Sequence, residues 1–175
     1  MRKHEGFTLI ELMIAVAIIG ILAATATPAI INWLPNYRLK SVASDLMSNF
    51  QRAKLEAVKR NANVVIRFNP TAGTVGGSYM IFVDDGAGGG NQGDDTQNGT
   101  EAIIANVTMQ GDLGIINANF SGTLFPGYTS RGLPLQNRWG SADLRNANGR
   151  FYRVTLSSAG HARLLKSYDG GVTWN

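Results

Sequence analysis

Apolar residues occupy positions 12–31 almost without interruption, then recur at steps of four and three, then alternate in twos. Each regime predicts a different element. A continuous run of about 20 residues can cross a hydrocarbon core of about 30 Å as a helix. From 38 to 60, Leu39, Ala43, Leu46, Phe50, Ala53 and Ala57 fall on one helical stripe. Arg38, Lys40, Arg52, Lys54, Lys59 and Arg60 cover much of the remaining surface, against Asp45 and Glu56. Asn61 suits a left-handed helix stop, and one continuous helix over 7–61 would reach roughly 80 Å. Beyond it, 64–68, 79–83, 102–109, 120–125, 152–157 and 162–166 read as β-strands bounded by Gly, Asn, Asp and Ser. Tyr152, Val154 and Leu156 alternate with Arg153 and Thr155, as a sheet with one buried face requires. The predicted class is α+β. A long N-terminal helix, transmembrane in its first half and amphipathic in its second, packs on a C-terminal antiparallel β-sheet head.

The polar exceptions inside the apolar run carry the chemistry. Between Phe7 and Asn36 the only ionisable side chain is Glu11. An unpaired acid among apolar residues in lipid costs about 2.5–3.5 kcal/mol or more, so Glu11 needs a partner and a task. A free α-amine at Phe7, made by cutting after Gly6, would supply one. The upstream Met1-Arg2-Lys3-His4-Glu5-Gly6 is short, polar and basic, unlike a secretory signal peptide. Arg2 and Lys3 ahead of the span predict a cytoplasmic N-terminus and a translocated head. Pro28 predicts a kink or local melting, with Thr25 and Thr27 placed to satisfy freed carbonyls. Pro35 adds a second break beside Trp33 and Tyr37, two aromatics that suit a bilayer interface.

The stretch Lys3-His4-Glu5-Gly6-Phe7-Thr8-Leu9-Ile10-Glu11 resembles the prepilin leader of type IV pilins and type II secretion pseudopilins. The resemblance implies cleavage between Gly6 and Phe7 by a prepilin peptidase, N-methylation of Phe7, and neutralisation of a neighbouring subunit's amine by Glu11 during filament assembly. The helical stretch from Arg38 to Asn61 resembles the GspH/FimT branch, whose heads carry two small antiparallel sheets. The organisation is then a leader over 1–6, a membrane and filament-core helix over 7–36, an amphipathic helix over 37–61 and a β-rich head over 62–175. The partners implied are other pilins or pseudopilins, the peptidase/methylase and an inner-membrane assembly platform. The function implied is a minor pilin or pseudopilin, a structural subunit of a type IV pilus or type II secretion pseudopilus, in initiation or at the tip. It would wait in the inner membrane, head outside the cytoplasm, and then enter the filament.

Composition narrows the remaining choices. With 175 residues the chain suits one modest domain plus an arm, and its net charge of +4 falls to +3 without the leader. No cysteine is present, which excludes disulfides, zinc–thiolate sites and a cysteine nucleophile. Its 21 glycines against five prolines favour a turn-rich β domain. The two histidines, His4 and His161, form no Ser-His-Asp set, and no Walker-type phosphate loop occurs, so an enzyme and a cofactor are not expected. The loop 84–99 holds Asp84, Asp85, Asp94 and Asp95 among Gly and Asn. Such oxygen-rich loops can bind calcium, but EF-hand spacing is missing, and a solvated loop is the competing reading.

Charge is segregated along the head. Residues 69–130 contain six acids and no Lys or Arg, whereas 131–166 contain six arginines, Lys166 and a single acid, Asp143. The two halves could pair within one head or between subunits. They could also present a phosphate-tracking patch, with Arg138 beside Trp139 and with Arg150 and Arg153 flanking Phe151-Tyr152. DNA capture at a pilus tip is the alternative function, through Arg150, Arg153, Arg163 and Lys166. FimT-like pilins carry a Gly-Arg-x-Arg signature; the matching run Gly160-His161-Ala162-Arg163 has His161 at the first arginine, a weak phosphate contact at neutral pH. Finally, Ser167-Tyr168-Asp169-Gly170-Gly171-Val172-Thr173-Trp174 resembles an Asp-box, implying a structural terminal hairpin rather than glycosidase chemistry.

Overall fold

The computed structural model describes residues 7–73 and 75–175, apart from the side chains at 28, 29 and 32. The leader, including Gly6, lies outside the described residues. The chain divides into two compact units, Met1–Pro35 and Asn36–Asn175. Helix α1, Leu9–Arg60, contributes to both and is unbroken through positions 28 and 35.

In the first unit the segment Leu9–Thr27 is long and apolar enough to cross a membrane, and none of it is buried within the chain. The Thr25 hydroxyl donates to the carbonyls of Leu22 (2.9 Å) and Ile21 (3.3 Å), and that of Thr27 donates to Ala23 (2.7 Å). Both hydroxyls therefore add bonds to carbonyls of the preceding helical turn.

In the second unit the predicted stripe is the core. Leu39, Ala43, Leu46, Phe50, Ala53 and Ala57 are all completely buried, while Leu55 and Val58 on the opposite side are exposed. The helix ends as Asn61 turns left-handed (φ 50°). The Ala62 amide reaches the Ala57 carbonyl and the Asn61 amide that of Val58, the two bonds of a Schellman cap.

Eight strands follow: β1 (Asn63–Asn69), β2 (Ser78–Asp84), β3 (Ile103–Thr108), β4 (Leu113–Phe120), β5 (Gly127–Tyr128), β6 (Gly140–Asn146), β7 (Phe151–Leu156) and β8 (Ala162–Ser167). They form two antiparallel four-stranded sheets in the orders β3-β2-β1-β5 and β4-β6-β7-β8. An aromatic cluster joins the helix to both sheets. Phe50 lies 6.2 Å from Phe68 of β1 and 6.1 Å from Phe120 of β4, and Phe68 stacks on Phe120 at 5.6 Å. The first sheet is covered on both faces. A smaller core of Val65, Phe82 and Leu135, with Met80 and Phe125 beside it, lies under the segment 121–139. That second cover explains why Val64, Val65 and Ile66 are all buried where a one-sided strand would alternate.

The structure corrects the strand reading at two places. Only Phe120 of the segment 120–125 is strand, as the last residue of β4, and 121–125 turn away: Ser121 (φ 53°) and Gly122 (φ 87°) reverse the chain, and Phe120 and Thr123 exchange backbone bonds. The strand is the preceding β4, whose alternation is broken by a bulge between Ile115 and Asn117 and whose Asn residues are weak strand formers. The run Gly140-Ser141-Ala142-Asp143 likewise has little strand propensity, yet it forms central β6. Gly140 (φ 155°) is required there, since a Cβ would fall 2.0 Å from the Asn119 carbonyl oxygen. Gly140→Ala is therefore expected to separate β6 from β4 locally, read as faster amide exchange at 141–146.

Candidate functional site: an N-terminal capping box and a divided basic face

Thr8 and Glu11 form a closed capping box at the start of α1. The Thr8 amide (2.9 Å) and hydroxyl (2.8 Å) both donate to Glu11 Oε2, and the Glu11 amide donates back to Thr8 Oγ1 at 3.3 Å. The carboxylate is thus aimed along the helix start, where the N-terminal dipole favours negative charge. Its second oxygen, Oε1, accepts no bond from any described residue. Phe7 immediately precedes the box and is 85% exposed. Thr8 is absent from the residues singled out by sequence, although the Thr-x-x-Glu spacing ahead of an apolar run is the signal that reveals it.

The four acids of the 84–99 loop do not converge. Asp84, fully buried at the end of β2, accepts the amides of Gly93 (2.7 Å) and Asp95 (3.2 Å). Burial pushes its carboxyl above the ordinary range despite those bonds. Asp85 and Asp94 accept the amides of Ala87 and Thr96 two residues on, and Asp94 also accepts the Asn98 amide group. Asp95 pairs with Arg138 at 2.6 Å. A further buried acid, Glu101, closes the loop by accepting the Gly86 (2.9 Å) and Asn98 (2.8 Å) amides. Among the described residues no group of three or more potential ligands could hold a metal ion. These carboxylates act as braces that satisfy backbone donors.

The basic residues of the C-terminal half are also separated. Arg138 is buried, bonded to Asp95, to the Phe125 carbonyl (2.9 Å) and to the Gln136 side chain. It therefore does not stand beside the exposed Trp139 as a base-stacking neighbour. Arg153 makes a two-pronged pair with Asp143 (2.5 and 2.8 Å) and lies 3.9 Å over the ring of Trp174. The hydrogen bond to Asp143 raises its already high pKa. Strand parity then sorts the remainder. Thr155 pairs with Arg163 and Arg153 with Leu165, placing Arg163 on the Arg153 face of the second sheet. Lys166 pairs with Tyr152 and so belongs to the opposite face. Trp139, Ser141, Arg153, Thr155, His161, Arg163 and Trp174 are among the residues lining a shallow groove of about 540 Å³ on the first of these faces. Lys166 and Arg150 line a separate cavity of about 180 Å³ with Tyr152, Tyr168 and Asn36.

The Asp-box is formed in full. The Ser167 hydroxyl donates to Asp169 Oδ1 (2.7 Å) and accepts the Gly171 amide (2.9 Å). Asp169 accepts the amides of Val172 and Thr173 and the Thr173 hydroxyl. Lys166 and Asn175 exchange backbone bonds and close the hairpin. Hydrogen bonds from Thr173, hydroxyl and amide, and from Ser167 hold the Asp169 carboxyl well below its ordinary value of 3.8. A depressed pKa contributes stability that is present above 3.8 and lost as pH falls through the lower folded value. The hairpin should therefore stay closed at about pH 3, where an unperturbed aspartate is mostly protonated. An NMR titration placing the Asp169 side-chain midpoint at or above 3.8 would contradict this.

The chain matches two families. Residues 1–27 match the prokaryotic N-terminal methylation motif, and residues 42–160, more than half of the chain, match type II transport protein GspH. It is 30% identical over 152 residues to fimbrial protein Q of Moraxella bovis, covering 77% of this chain and 97% of that protein. It is 34% identical over 107 residues to a fimbrial protein of Pseudomonas aeruginosa, covering 60% of this chain and 69% of the relative. It is also 37% identical over 86 residues to the pilin-like protein PilA1 of Thermus thermophilus, covering 48% and 51%. No solved structure matches the chain. With its capping-box carboxylate ahead of an uncovered apolar helix and a two-sheet head on the amphipathic half, the chain belongs to the type IV pilin and pseudopilin superfamily, as a non-enzymatic structural subunit with a GspH-type head.

Proposed function

We propose that this chain is a minor subunit that helps initiate or cap a type IV pilus or type II secretion pseudopilus. It is held in the inner membrane by the first half of α1, with its N-terminus cytoplasmic and its head outside, until the assembly platform admits it to the filament. Prepilin peptidase cuts between Gly6 and Phe7, and the new Phe7 amine is methylated. The observation that carries the reading is the Thr8–Glu11 box: it fixes one carboxylate oxygen and leaves Oε1 for a cation beside a helix whose apolar side chains have no cover of their own. In lipid or in a filament core that cation is the Phe7 amine of the next subunit, because neither charge is tolerable alone.

Glu11→Val tests it. The variant chain should still be cut at Gly6–Phe7 but enter sheared filaments at less than a tenth of the native level, measured by quantitative mass spectrometry. Incorporation at the native level would overturn the role of Glu11. The same spectra test the minor position, which requires this chain to be a small fraction of filament mass; a chain that dominates the filament would be a major subunit. Thr8→Val, which removes the hydroxyl from the box, should lower incorporation less than Glu11→Val does, since the Thr8 amide still holds the carboxylate.

A second reading, DNA capture, draws on the groove that brings Arg163 near Trp139 and Trp174. Arg153 is neutralised by Asp143, and Lys166 and Arg150 lie in a different cavity, so the four candidate cations do not form one track. Arg163 would be the principal phosphate contact in that groove. DNA affinity that falls with salt and with Arg163→Ala supports this reading. No binding at low salt removes it.

A further inference from the structure

The cavity beside Asn36 holds two cations and, among the described residues, no carboxylate paired with either. Arg150 is exposed, with its guanidinium 5.5 Å from the centre of the Tyr168 ring, and Lys166 Nζ lies 4.2 Å over the same ring. Neither has a carboxylate within ion-pair distance among the described residues. The Asn36 side-chain oxygen accepts the Asn146 amide group at 2.9 Å, so the NH2 of Asn36 is the part left to donate. Asn146 itself is fully buried and bonded to the Arg150 amide, which fixes this arrangement from behind. Ser167, also on the lining, is committed to Asp169 and Gly171. Two like charges, an ammonium and a guanidinium, thus share a cavity of about 180 Å³ with an amide donor and an aromatic wall.

We propose that this notch of Arg150, Lys166, Asn36 and Tyr168 binds a phosphate group, that of an anionic phospholipid headgroup, while the subunit is anchored in the membrane. A converging set of N–H donors with uncompensated positive charge selects an oxyanion, and guanidinium geometry fits two oxygens of one phosphate. Chain length favours lipid over free phosphate. Asn36 is only nine residues beyond Thr27, the last residue of the apolar span, so it lies within about 32 Å of chain from it. A tether of that length holds a weak site at a high effective concentration of headgroups. The hydroxyl of Tyr168 helps keep Lys166 protonated. The inference rests on the membrane-anchored reading of α1, which is scored separately by whether the chain co-elutes with lipid discs.

The experiment uses the full mature chain in nanodiscs of phosphatidylcholine, with and without phosphatidylglycerol. The acylation rate of Lys166 is read by mass spectrometry and normalised to Lys59, which is exposed on α1. Phosphatidylglycerol should slow Lys166 at least threefold. Arg150→Gln should abolish the slowing, whereas Arg163→Gln, on the other face of the sheet, should retain it. Equal rates in both discs overturn the proposal, and so does a slowing that survives Arg150→Gln, which would mark general surface attraction. Slowing by millimolar inorganic phosphate in neutral discs, with none from phosphatidylglycerol, overturns the lipid source.

Discussion

Phe50→Ala lowers the unfolding free energy of the head by about 3–5 kcal/mol, the range for deleting a fully buried aromatic ring. Phe50 has no exposed surface and touches Phe68 from one sheet and Phe120 from the other, so its removal opens a cavity where all three layers meet. Neither neighbour can collapse freely into that space, because each ring is held by a paired strand. Chemical unfolding of the full chain in detergent, followed by near-ultraviolet circular dichroism, measures the loss. Leu55→Ala on the same helix is the control: Leu55 is 69% exposed, and its loss should cost within about 0.5 kcal/mol. Equal effects from the two substitutions would mean that the helix does not dock by the stripe described above.

Arg138→Met should be nearly as damaging, at about 3 kcal/mol, for an electrostatic reason. The guanidinium serves Asp95, the Phe125 carbonyl and the Gln136 side chain from a largely buried position. Methionine fills much of the volume but leaves the Asp95 carboxylate without its charge partner, and breaking one side of a buried pair costs more than the pair contributes. The double variant Arg138→Met with Asp95→Asn removes the orphaned charge and should recover at least half of the loss. The same measurement in the single variant should show earlier opening of 84–101 by hydrogen exchange, since Asp95 is the point at which that loop is tied to the C-terminal half. A double variant as unstable as the single one would assign the effect to packing rather than to charge.

Several of these features are legible in the amino-acid sequence alone. The stripe from Leu39 to Ala57 is buried without exception, and Asn61 stops the helix as its backbone preference predicts. The Asp-box is readable because it is local: six of its hydrogen bonds connect residues no more than four apart. Strands β1, β2, β3 and β7 are readable because β-branched and aromatic residues dominate them, and β8 because the turn Ser157-Ser158-Ala159-Gly160 returns the chain antiparallel to β7. Strands β4 and β6 are not, since Asn, Gly, Ser and Asp occupy much of their length and are held in register by their neighbours. Residues 121–125 read falsely as a strand because Leu124 and Phe125 follow Phe120 in an apolar pattern while Ser121 and Gly122 turn the chain.

Local sequence is enough to specify the helix, its two faces, its stop, the lone acid at its start and the terminal hairpin, all of which depend on contacts within a few residues. Which charges are free is settled only by the folded chain. Arg138 and Asp95 are 43 positions apart and Arg153 and Asp143 ten, yet each pair is neutralised by a meeting that no local spacing announces. The fold also puts Arg163 and Lys166, three residues apart, on opposite faces of one sheet, and brings Asn36 to Asn146 across 110 positions to frame a notch of donors. Such pairings follow from strand register and long-range packing, whose free energy belongs to the assembled core and not to any single segment.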